Sequence, residues 1–187
     1  MRAWIIRSPT ECITESRRIM YQKGQYIVYG IRGVCEISDI ITMEPPDSRQ
    51  RRLYYELHPY YQKGSRIVVP VDSGKTVIRP LVTREEAVRL IDEIPQIREM
   101  NVETDKQREA RYKAALNTCD CRVWISMIKA LYVRKQDRLR QGKKMTDLDQ
   151  RYFRTAGENL HSELALALGV SREEMAECIR SRVKGEK

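Results

Sequence analysis

Histidine and phenylalanine are nearly absent from this chain: its 187 residues include two His and one Phe. The imidazoles, His58 and His161, fall in separate segments, one strand-like and one helix-like, which argues against a paired His acid–base system or a His-rich metal cluster. Glycine-rich phosphate loops are missing too. The run Asp72-Ser73-Gly74-Lys75-Thr76 ends like a P-loop, but the first glycine of that motif belongs at Val69, so the motif fails. GxSxG, HExxH and paired-carboxylate patterns do not occur. These absences point away from an enzyme and leave no cofactor and no small-molecule substrate to expect. The five cysteines, Cys12, Cys35, Cys119, Cys121 and Cys178, make no CxxC pair. Cys119 and Cys121 stand too close for a zinc ribbon, so no metal site is expected, and an odd count without a framework suits a reducing cytosol. The longest apolar run near the start, Trp4-Ile5-Ile6, is broken by Arg7 and Pro9. It is too short for a signal-peptide core or a membrane span, so the expectation is a cytoplasmic protein with no membrane partner.

Charge of one sign is abundant, and it is localized. Residues 106–144 hold twelve Lys and Arg against three Asp and Glu, an excess equal to the whole chain's net +9. A localized excess of this kind is the footprint of a polyanion-binding surface rather than of a uniformly basic chain. The cations are Lys106, Arg108, Arg111 and Lys113, then Arg122, Lys129, Arg134, Lys135, Arg138, Arg140, Lys143 and Lys144. Any one of them is ordinarily a solvated surface charge. As a group they can neutralize backbone phosphates and release counterions, giving salt-sensitive affinity without reading sequence.

Local patterns divide the chain. Residues 1–19 show no sustained period and are expected to be a disordered extension, or to precede a true start at Met20. Short runs rich in β-branched and aromatic residues follow: 26–29, 33–41, 53–57 and 66–71, separated by turn chemistry at Gly30–Gly33, at Pro45-Pro46-Asp47 and at Gly64. Four or five such strands predict a small antiparallel barrel over residues 21–80. Beyond Pro80 the period becomes helical. Thr83-Arg84-Glu85-Glu86 reads as a capping box opening a linker helix that ends at Pro95, within a linker spanning 81–104. Further helices are expected at 105–117, 121–141, 146–168 and 171–184, with caps at Thr146 and Ser171 and stops at Gly142 and Gly169. The fold class is therefore α+β in two domains, with an all-helical domain over 105–187. Trp124 is tempting as a base-stacking residue. Yet Trp124, Met127, Ile128, Leu131 and Tyr132 follow the stripe that a helix buries, as do Leu160, Leu164 and Leu168, so core packing is the stronger reading.

The segment Lys23-Gly24-Gln25-Tyr26-Ile27-Val28-Tyr29-Gly30, followed by Gly33-Val34, closely resembles the opening of the polymerase-interaction module shared by CarD proteins and the transcription-repair coupling factor. Tyr54-Tyr55-Glu56-Leu57, Val69-Pro70-Val71 and Arg79-Pro80-Leu81 match its later landmarks in order. Arg111-Tyr112-Lys113-Ala114-Ala115-Leu116 and Ser162-Glu163-Leu164-Ala165-Leu166-Ala167 resemble the helical domain specific to CarD. The resemblance implies a Tudor-like barrel that docks on the β subunit of bacterial RNA polymerase. It also implies a helical domain that touches promoter DNA and modulates open-complex stability, in a protein that associates with the nucleoid through polymerase. The polymerase contacts it suggests are Met43, Arg52, Tyr54, Arg66 and Val68. The DNA contacts are Lys106, Arg108, Arg111, Lys113, Arg134, Lys135, Arg138 and Arg151. Two departures stand out: the family's wedge tryptophan is matched by Arg108, and basic polymerase-facing positions are matched by Met43 and Val68. A nucleic-acid-binding protein with no polymerase contact, or an adaptor for an acidic protein, fits the basic segment as well.

Overall fold

The computed structural model describes residues 21–44, 51–61, 64–72, 74, 76–102 and 105–184, so the expected N-terminal extension lies outside the described residues. Strand β1 (Tyr26–Tyr29) turns through a single 3-10 turn, Gly30–Arg32, into β2 (Val34–Met43), and β3 (Arg52–Pro59), β4 (Ile67–Pro70) and β5 (Ile78–Pro80) complete an antiparallel sheet in the order β4-β3-β2-β1-β5. Alternation decides the faces. Ile27, Cys35, Ile37, Tyr55, Leu57 and Val69 point to one side and form a small core of their own. Burial raises the Cys35 thiol there to about 12, which keeps it a neutral packing group. The register slips between Ile37 and Asp39, and Ser38 at the slip donates from Oγ to the Glu56 carbonyl at 3.2 Å. This bulge shifts the alternation by one residue, so that Ile40 packs on the small core and Asp39, Ile41 and Met43 face the opposite side. Among the described residues β4 and β5 do not pair with each other, so the ladder stays open where the expected barrel needs closure.

The helices are α1 (Arg84–Glu93), α2 (Asp105–Asn117), α3 (Cys121–Arg140), α4 (Asp147–Leu168) and α5 (Arg172–Lys184). The capping box is complete: Glu86 N donates to Thr83 Oγ1, and Thr83 N donates to the Glu86 carboxylate at 2.8 Å. Helix α1 then passes into a 3-10 turn at Ile94–Gln96, where Pro95 cannot continue the amide ladder. Thr146 caps α4 and Ser171 bonds to Glu174 at the start of α5, while Gly169 closes α4 in the left-handed conformation. Trp124, Met127, Ile128 and Leu131 are buried with Leu160 and Leu164, each leucine contributing about 1.5–3 kcal/mol by leaving water. The Trp124 indole donates to the Leu116 carbonyl at 3.3 Å, so the ring is a core residue and not a stacking surface. Ala87, Leu90 and Ile91 of α1 belong to this same core, and so does Val28 from the sheet.

Two sets of hydrogen bonds clasp the sheet to the helices. Arg79 of β5 reaches Glu163 of α4 through two hydrogen bonds of 2.5 and 2.8 Å, and the Glu163 carboxylate, fully buried, also accepts from Val82 N at 3.0 Å and from the Cys121 thiol at 3.2 Å. Arg79 Nε donates to the Cys119 carbonyl, and its guanidinium lies 5.9 Å from the Trp124 ring. Burial first, and the Glu163 charge second, push the Cys121 thiol well up, so it stays protonated and donating. At the second place, Asn159 of α4 donates to the Ile31 carbonyl at 3.2 Å. Gly33 makes that approach possible: it sits at φ 73°, and a Cβ there would lie 2.4 Å from Asn159 Oδ1.

Candidate functional site

The face of the sheet opposite the small core meets the helices at β1, where Val28 packs into the helical cluster, and at the start of β2, where the buried Val34 shares a cleft with Asn159 and Arg172. Toward β3 and β4 no helix among the described residues packs extensively on it. Cross-strand pairs Met43–Arg52, Ile41–Tyr54 and Asp39–Glu56 place these side chains in rows on that face, and Glu56–Val68 and Tyr54–Pro70 extend the rows onto β4. Met43, at the end of β2, and Val68, on the edge strand β4, are 43% and 37% exposed, and Arg52 is exposed beside Met43. Tyr54 is half-buried. Arg66 extends to Glu56 Oε2 at 2.5 Å and holds that carboxyl below the usual carboxylate range, with burial opposing and His58 assisting. Met43, Arg52, Tyr54, Arg66 and Val68 thus share one surface, although they come from three separate stretches of sequence. Next to it, the outer edge of β4 has no partner strand among the described residues.

The basic segment is less uniform than its sequence. Asp149 of α4, fully buried, draws Arg108 of α2 at 3.2 Å and Arg134 of α3 at 3.0 Å. Arg108 is only 8% exposed. The expected role of Arg108 as a groove contact is therefore corrected: the guanidinium is a buried counterion joining α2 to α4, because Asp149 on the inner stripe needs positive charge. Arg134 is likewise engaged by Asp149 and half-buried. Lys129 donates to the Pro95 and Ile97 carbonyls and so fastens the end of α1, while Arg122 pairs with Glu93. Arg138 donates to the Lys144 carbonyl, which folds the end of α3 back on itself. Arg151 is exposed, pairs with Glu109 at 2.8 Å and lies 5.1 Å from the Tyr152 ring. Five cations of the segment, Arg111, Lys113, Lys135, Lys143 and Lys144, make no ion pair among the described residues, and all but Lys135 are exposed. The side chain of Lys106 lies outside the described residues.

The family comparison matches residues 21–82 to the CarD-like/TRCF RID domain. The match covers about a third of the chain. This family is an RNA polymerase-interaction module and not a catalytic one. No curated protein matches the chain. The matched stretch spans all five strands and ends just past Pro80, so the open sheet face and the unpaired β4 edge both lie within it. Among the described residues no group of three or more His, Cys, Asp or Glu is arranged to hold a metal ion, and no helix is long and apolar enough to cross a membrane. What the sequence reading missed is the clasp between the RID domain and the helices. One signal was available: Glu163 and Asp149 are carboxylates on stripes that otherwise carry Leu160, Leu164, Tyr152 and Ala156, and a charge on a buried stripe requires a partner.

Proposed function

We propose that the protein is a transcription regulator that docks on the β subunit of bacterial RNA polymerase through its RID domain and sets its basic helices against promoter DNA, changing the stability of the open complex. The observation that carries this reading is the convergence of Met43, Arg52, Tyr54, Arg66 and Val68 on the one sheet face that the helices leave open. In this reading the sheet is a Tudor-like barrel left open between β4 and β5, and the unpaired β4 edge is where a partner strand adds. Residues 21–80 dock and residues 105–187 contact DNA. Tethering supplies effective concentration, so a few weak phosphate contacts suffice. Arg111, Lys113, Lys135, Lys143 and Lys144 are the cations best placed to make them, and Arg108 is not. Such a protein works in the cytoplasm, associated with the nucleoid through polymerase.

The test is capture of polymerase core by the tagged full-length protein, with Met43→Glu/Val68→Glu as the comparison. Both residues are exposed, so two carboxylates on that face abolish capture and leave thermal unfolding unchanged. Failure of the unaltered protein to capture polymerase would refute docking and favour a free nucleic-acid binder instead.

A further inference from the structure

Helices α3 and α5 both pack against α4 but not closely against each other. Between them lies a cleft of about 520 Å³, a volume typical of small-ligand sites. Its floor is apolar, with Ile128 from α3, Phe153 from α4 and Ile179 from α5. The cleft exists in part because α4 carries Gly157 at its middle, where a side chain would fill it. An ideal Cβ at Gly157 meets only the His161 ring, at 3.5 Å, which is ordinary van der Waals contact, and the residue has no positive φ that demands glycine. Glycine is a poor choice inside a helix, and nothing in the backbone here requires it.

The rim has a different character. Lys135, Arg154 and Arg180 come to it from three different helices, and Glu158 is the single acid among the lining residues. Arg180 is engaged by Glu177, but Lys135 and Arg154 have no ion-pair partner among the described residues. The His161 imidazole forms part of the wall. Burial, with Arg172 and Arg180 adding to it, lowers it to about 4, so the wall is uncharged at neutral pH and offers a hydrogen-bonding nitrogen. A recessed apolar floor under unpaired cations fits one kind of ligand. A neutral hydrocarbon leaves the cations unsatisfied, and a free phosphate leaves the floor wet. A bilayer surface needs apolar atoms that protrude, whereas these are sunk between helices. We infer that this cleft binds a small amphipathic anion from solution, with an acyl or fused-ring body on the Ile128–Phe153–Ile179 floor and a carboxylate, sulfonate or phosphate held by Lys135 and Arg154.

The inference does not depend on polymerase docking, and calorimetry on the full chain tests it with two probes of equal length and opposite charge, decanoate and decyltrimethylammonium. Decanoate is expected to bind one-to-one and the cation at least ten-fold more weakly. Gly157→Leu, which fills the cleft, lowers decanoate affinity at least ten-fold with unchanged circular dichroism. Lys135→Gln/Arg154→Gln, at the rim and independent of core packing, removes the preference for the anion. Absence of saturable decanoate binding, equal binding of both probes, or full affinity in a folded Gly157→Leu protein would each overturn it.

Discussion

The buried Glu163 carboxylate joins β5, the segment before α1 and the start of α3, and Glu163→Gln isolates its charge from its shape. The substitution leaves the Arg79 guanidinium, 24% exposed at its side chain, without a counterion, and weakens acceptance from Val82 N and the Cys121 thiol. Breaking a buried ion pair by removing one partner costs about 3–5 kcal/mol. The amide oxygen still accepts one bond and Arg79 is partly wet, so the lower end applies, about 3 kcal/mol. For a chain of this length that is a fall in Tm of roughly 6–12 °C. Urea unfolding followed by tryptophan emission is the assay, because Trp124 lies under Arg79 and the only other tryptophan is Trp4. Arg79→Met/Glu163→Leu removes both charges and is expected to regain more than half of the loss, since apolar replacements of buried pairs are often neutral. A Glu163→Gln protein within about 1 kcal/mol of the unaltered chain, or a double variant no better than the single, would refute the reasoning.

His161 makes stability depend on pH. Its folded value of about 4 lies below the ordinary 6.5, so the unfolded chain binds more protons between those values, and stability is complete above 6.5 and lost as the pH falls toward 4. The loss is at most about 3 kcal/mol, and His161→Leu should flatten that part of the urea-midpoint profile. Gly157→Ala should stabilize by about 0.5–1 kcal/mol, the propensity gain in a helix interior, because the added methyl meets only the His161 ring; a lower Tm would contradict the contact geometry. Thr83→Ala should cost about 1 kcal/mol in equilibrium unfolding by removing the cap on α1. Lys143→Gln/Lys144→Gln should reduce the slope of log affinity against log salt by about 2 on duplex DNA, where Arg108→Gln acts through stability instead.

Elements with a local signature were legible before the fold was known. The capping box at Thr83, the alternation of 26–29 and the stripe from Trp124 to Leu131 each follow from contacts within a few residues, and each element formed where expected. Strand β5 was harder, because three residues between Pro80 and a polar turn carry no period; it forms through pairing with β1. The site was legible in part. Composition located the basic segment but not its division, since whether Arg108 meets water or Asp149 depends on a residue 41 positions away. The same limit hid the Arg79–Glu163 clasp, whose members are 84 positions apart. The landmarks of the sheet survived such distances because cross-strand register follows from alternation once the strands pair.

The position of that clasp has a mechanical consequence. Arg79 Nη2 lies 3.8 Å from Cys121, the first residue of α3, whereas the cations from Arg134 onward sit at the helix's far end. At 1.5 Å per residue Arg134 lies about 20 Å and Arg140 about 28 Å along the helix, so a rotation of the helical body of about 10° about the clasp moves the last cation through about 5 Å, farther than a hydrogen bond can stretch. Helix α3 is held along its length as well, by Trp124 and Leu131 in the core and by the Arg134–Asp149 pair, so it acts as a strut that carries a displacement of the sheet to the basic tip.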